Sequence, residues 1–214
     1  MNELSTVTLN GDIAIAELPA PDELRAFLRA HTRESHSRLA AHFASLGSHP
    51  TIEDYHRFIL MNLVAYRALS SFLAWPGAAA ASMSTLIDDN RCRLEADTAQ
   101  MHLDCRASIE FAIEPYGRAE AFGLAYVLNG SRLGGRFIHR RLQKAGLFEA
   151  GLAESFLTAT FERDETAPAA FDPTIGSGEG YDRRALEAAT ATFDLFERAL
   201  DCVMRTRGAK GPMR

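Results

Sequence analysis

Hydrophobic positions recur along most of this chain at the three-to-four-residue spacing of helices that bury one face. The last such segment is the plainest. Between Ala185 and Met204, the residues Leu186, Ala189, Phe193, Phe196, Leu200 and Val203 line one side of a helix. Near the start, Asp22 stands where a cap would open a helix from Glu23 to Leu46, with Gly47 as its stop. Thr51, with Asp54 three residues on, predicts a second start. Apolar residues then continue to Trp75, ahead of Pro76-Gly77. A less regular helix is expected over roughly Ala80 to Ala112, broken near Asp88 to Asn90. Another should run from Pro115 to Lys144, with Gly146 terminating it, and a shorter one from Phe148 to Arg163. Residues 164–180 are rich in glycine, proline and small polar residues and read as a loop. Only Val7 to Leu18 has any strand character. The expected fold class is therefore all-α: a multi-helix single domain over 21–206, with a loose extension at 1–20 and a frayed tail at 207–214.

Composition narrows the class. At 214 residues, one core can be buried efficiently. The 47% hydrophobic and 24% charged content excludes a disordered chain, a collagen and a small disulfide scaffold. The net charge of -5 argues against a general nucleic-acid binder. Three cysteines, Cys92, Cys105 and Cys202, lack CxxC spacing and read as free thiols of a reducing cytoplasm. The longest uncharged stretch, Ala68 to Ile87, is interrupted by Pro76, Gly77 and five serines or threonines, so no membrane span is expected. Glu3 and Asp12 are unlike a signal peptide.

Two segments carry candidate chemistry. On a helical wheel at about 100° per residue, Leu24, Leu28, Ser35, Leu39 and Leu46 form a narrow stripe, and His36 flanks it. Arg29 lies two turns earlier on nearly the same face, about 10.5 Å away along the axis. That spacing suits a flat macrocycle whose metal is held by His36 and whose acidic edge meets Arg29. A hydrogen-bonded structural histidine is the plainer alternative. The second segment runs from Ala125 to His139 and holds Gly130, Gly134 and Gly135 in mid-helix. Each glycine costs about 1 kcal/mol relative to alanine. Gly130 and Gly134 share a face with Tyr126, so they open the backbone either to a flat ligand or to a neighbouring helix. Arg132, Arg136, Arg140 and Lys144 form a basic ridge on this helix, suited to an acidic redox partner or simply to solvent. Separately, Glu53 and His56 form a Glu-x-x-His of the kind found in di-iron oxidases, but no second copy occurs.

Together the two segments resemble the heme oxygenase family, in particular its bacterial branch. Leu28 to His36 looks like the family's proximal pattern, L-[KR]-x-x-T-x-x-x-H, and Tyr126 to Gly135 looks like its glycine-rich distal helix. The resemblance spans roughly residues 22–205. It implies heme, both cofactor and substrate, between a proximal and a glycine-kinked distal helix. It makes His36 the metal ligand and places Arg29, Thr32, Tyr126, Gly130, Gly134 and Gly135 at the cofactor. Gly130, Ser131 and Gly134 would be the catalytic positions, with ordered water near Ser131. The implied reaction is oxidative cleavage of heme to biliverdin, carbon monoxide and ferrous iron. It uses O2 and electrons from an external donor such as a ferredoxin or a reductase. Arg29 and Tyr126 would meet the propionates, with Arg183 and Arg184 in reserve. Two positions depart from the family. Ala40 stands where many members carry an acidic residue, and Ser131 stands where mammalian members carry Asp. A non-catalytic heme- or bilin-binding protein of the same fold is the alternative.

Overall fold

The computed structural model describes residues 21–73, 81–161 and 180–208. The expectations for 1–20, for the Pro76-Gly77 stop, for most of the 164–180 loop and for the end of the tail lie outside them. Among the described residues there are eight α-helices and no strand. They are α1 (Pro21–His31), α2 (Arg33–Ala41), α3 (Ala44–Ser48), α4 (Ile52–Leu73), α5 (Ala81–Gln100), α6 (Arg118–Lys144), α7 (Ser155–Thr158) and α8 (Tyr181–Gly208). The all-α expectation holds. Among these residues no helix is long and apolar enough to cross a membrane.

The helix at the centre of the packing is α8, which meets α1, α2, α4 and α6. The main core lies among α4, α5, α6 and α8. There Ile59, Leu63, Leu94, Leu124 and Leu195 are fully enclosed. α4 is buried nearly all round over Ile59 to Tyr66, as expected for a helix that neighbours surround. A smaller cluster joins α1 to α6 and α8 through Leu24, Leu28, Phe122, Val127, Ala185, Ala189 and Phe193.

Several boundaries follow the sequence. The Thr51 hydroxyl accepts the Asp54 N–H at 3.1 Å and starts α4. Past α6, Gly146 sits at φ +69, and the bonds Gly146 N–H to Gln143 and Leu147 N–H to Leu142 close a Schellman motif.

Other boundaries differ for identifiable reasons. The expected helix from Glu23 to Leu46 is three helices. At Thr32 (φ -100, ψ 3) the chain bends, yet Thr32 N–H to Leu28 and His36 N–H to Thr32 carry the ladder across. Beyond α2, the bonds Phe43 N–H to Ala40 and Leu46 N–H to Phe43 tighten to i,i+3, and the helix breaks outright. No break occurs at Asp88 to Asn90. Asp88 instead accepts the Ser70 hydroxyl of α4 at 2.6 Å, and the Asn90 amide donates to Leu86 one turn back. α5 stops at Gln100 rather than near Ala112, because His102 adopts φ +53 and closes a second Schellman motif with no glycine to announce it. α6 begins at Arg118 rather than Pro115, with the Gly117 N–H donating to Glu120. The shorter helix expected from Phe148 shrinks to α7 and a 3-10 turn at Ala159–Phe161. Its start is set by a side chain from α5: Asp97 accepts the N–H groups of Ser155 and Phe156 at 3.0 and 2.8 Å.

Candidate functional site

The stripe on the first helical segment is buried as its spacing requires. Leu24, Leu28, Ser35 and Leu46 are enclosed, and Leu39 is half-buried. His36, on the flank, is exposed. Its ring stands edge-on to Phe193 of α8, with centroids 6.2 Å apart and an interplanar angle of 87°. Arg29 is exposed on α1. Thr32 is buried, and its hydroxyl donates to the Leu28 carbonyl at 2.8 Å, so it holds the bend between α1 and α2. Nearby, His31 meets the carbonyl of Phe27 through Nδ1 at 2.8 Å.

On α6, Tyr126 is half-buried against the smaller cluster, which also contains Phe193. The structure therefore sets His36 and Tyr126 at the same apolar cluster, one from each helical segment. One turn beyond Tyr126, the three glycines divide. A Cβ on Gly130 or Gly134 would find no atom of another element within 4 Å among the described residues. A Cβ on Gly135 would stand 2.8 Å from the Thr160 methyl, so Gly135 serves close packing against the 3-10 turn. Nor does α6 break at these glycines; it runs continuously from Arg118 to Lys144. Ser131 is exposed, and its hydroxyl donates to the Leu128 carbonyl at 2.6 Å. Leu133 and Phe137, on the same length of helix, are 69% and 52% exposed. Among the described residues, α6 thus offers bare backbone and uncovered apolar side chains in one region.

The glycine that permits the closest helix contact is Gly123, which the sequence reading passed over. A Cβ there would overlap the Ala185 carbonyl and stand 2.9 Å from the Ala189 nitrogen. A signal was present in the small residues Ala185 and Ala189 at i,i+4 on α8.

The basic ridge is only partly free. Arg136 donates to the Thr160 carbonyl at 2.6 Å and lies over the Phe161 ring, whereas Arg140 and Lys144 are exposed. Arg183 pairs with Glu187 at 2.8 Å, and Arg184 approaches the buried Glu120 at 3.6 Å. Glu53 is exposed and His56 half-buried at the start of α4. Among the described residues no group of three or more His, Cys, Asp or Glu side chains converges to hold a metal ion, so the di-iron reading finds no ligand set there. All three cysteines are free thiols, with Cys92 exposed and the other two half-buried.

The segment around α7 is fastened by polar contacts that sequence reasoning also missed. Besides Asp97, the buried Tyr55 hydroxyl donates to the Ala153 carbonyl at 2.7 Å, and His139 Nε2 meets Glu154 at 2.8 Å. Burial pushes the Asp97 carboxyl above its usual range, although the N–H groups of Phe156 and Ser155 pull the other way. No protein-family model matches the sequence, and no curated protein matches it.

Proposed function

We propose that this protein is a heme oxygenase, cleaving heme to biliverdin, carbon monoxide and ferrous iron with O2 and electrons from an external donor. The observation that carries the reading is the unfilled glycine face of α6 at Gly130 and Gly134, on a helix that shares an apolar cluster with the exposed imidazole of His36. Two interior glycines cost about 2 kcal/mol of helix stability. No described neighbouring element uses the space they leave, so the cost calls for a ligand. In this reading a flat, largely apolar group lies against that face, where a Cβ at either position would intrude.

In this reading, bound heme supplies the iron that activates O2 and the ring that is oxidised. The chain supplies the rest. His36 would hold the iron through one ring nitrogen, and its ring stands edge-on to Phe193. Arg29 and Tyr126 meet the acidic edge. The bare backbone at Gly130 and Gly134 would permit a flat group to approach closely. Ser131 would accept from a water there through the lone pairs its hydroxyl keeps while donating to Leu128. Gly135 and Thr32 support the site from behind, as packing and bend residues.

The donation from Ser131 into its own helix favours the second reading, a heme- or bilin-binding protein without turnover, because that hydroxyl proton is already committed. One experiment separates them. Hemin titration should give a saturable one-to-one Soret band that is lost in His36→Ala. Reductant in air should then convert the wild-type band to biliverdin. A stable band without conversion selects the binding protein, and no band removes heme altogether.

A further inference from the structure

Besides the packing of Leu39, α2 and α8 make two side-chain contacts one turn apart on α8, and these bear on how α2 is rolled about its own axis. The first is the edge contact of His36 with Phe193. The second is the ion pair of Arg38 with Glu197, Nε to Oε1 at 3.2 Å. Phe193 and Glu197 are i,i+4 and share a face of α8. On α2, the inward side is marked by the buried Ser35 and the half-buried Leu39. At about 100° per residue, His36 and Arg38 fall on opposite flanks of that side. Rolling α2 either way therefore lifts one contact as it compresses the other. Arg38 also leans on Ser35 Oγ at 3.4 Å, which braces the guanidinium against the buried face.

We propose that Arg38 and Glu197 are a positioning pair that sets the direction of the His36 imidazole. The inference rests on the heme-ligand reading for its consequence, though not for its geometry. An exposed ion pair contributes at most about 1 kcal/mol. The pair therefore acts on orientation rather than on the stability of the fold. Arg38 has a second acidic neighbour, Glu34 at 3.5 Å, but that carboxylate belongs to α2 itself and is 87% exposed. A contact within one helix cannot resist the roll of that helix, so Glu34 supplies a control.

The test has two arms. In heme-free, isotope-labelled protein, nuclear Overhauser contacts between the His36 and Phe193 rings should be present in the wild type and in Glu34→Gln. They should weaken in Arg38→Gln and in Glu197→Gln, and recover in the charge exchange Arg38→Glu with Glu197→Arg. In the hemin complex, the two single variants should shift the iron–histidine stretching band in resonance Raman spectra of the ferrous form and weaken binding up to about five-fold. The exchange variant should restore both. Ring contacts of unchanged intensity in Arg38→Gln and Glu197→Gln overturn the inference. So does a loss that the exchange variant fails to restore, since that marks a general structural role. If the ring contacts respond as stated but the wild type binds no hemin through His36, the functional reading falls while the helix clamp stands.

Discussion

Replacing the α6 glycines one at a time by alanine separates packing from ligand accommodation by the sign of the stability change. At Gly130 and Gly134 the new methyl meets no described neighbouring element, so only helix propensity acts, and each substitution should stabilise by about 1 kcal/mol. In a chain of this size, that raises Tm by roughly 2–4 °C. At Gly123 the same gain is opposed by overlap with the Ala185 carbonyl in the closely packed α6–α8 contact. Backbone cannot move aside as a side-chain tip can, so the overpacking cost is about 3 kcal/mol. The net loss is then about 2 kcal/mol, or a fall of roughly 4–8 °C. Gly135 should lie between, because its methyl would press on Thr160, a buried side chain whose hydroxyl is bonded to Leu157. Calorimetry of the four heme-free variants gives the stability order, and hemin titration with reductant gives the functional one. Gly130→Ala and Gly134→Ala should be more stable than the wild type yet bind or turn over hemin less well. If they are destabilised as much as Gly123→Ala, that face is packed and the reasoning fails. If they are stabilised with hemin binding and turnover intact, the face has no part in the site.

Other outcomes follow from the same geometry. His102→Gly should stabilise by about 1 kcal/mol, since glycine enters the left-handed region without steric cost; urea midpoints with an unchanged slope would show it. Asp97→Ala should lose roughly 2 kcal/mol by leaving the Ser155 and Phe156 N–H groups without their acceptor, measured by the same titration. Two carboxylates should act oppositely in acid. Burial would raise the Asp54 carboxyl, but hydrogen bonds from Ser45, Thr51 and Arg57 outweigh it and hold the pKa below 3.8. Its stabilisation is present above 3.8 and lost as pH falls through the lower folded value, so Asp54→Asn should flatten the acid limb. Asp97 is shifted upward, so the native state keeps this proton where the unfolded chain has released it. Stability then declines as pH rises from 3.8 to the folded value, and Asp97→Asn should abolish that decline.

The sequence by itself determined the helical class, the buried stripe through Leu24, Leu28, Ser35 and Leu46, the Thr51 cap and the Gly146 stop. Each depends on contacts within a few residues or on a period that one helix must bury, so the local order of residues suffices. It also placed His36 on the flank of the stripe, which is where the exposed ring stands. Tertiary structure decided what local patterns could not encode. The four α6 glycines look alike along the chain, yet Gly123 admits α8, Gly135 admits Thr160, and Gly130 and Gly134 face open space. Their difference, among the described residues, lies in which distant element passes over them. Asp88 of α5 is partnered by Ser70 of α4, and the first N–H groups of the short α7 by Asp97 of α5. Both are polar debts settled by partners far away in sequence. The end of α5 at His102 was hidden for another reason. A non-glycine residue in the left-handed region is disfavoured locally and persists only where surrounding contacts fix it. The roll of α2, and with it the direction of His36, is likewise set by Phe193 and Glu197, more than 150 residues away in the chain.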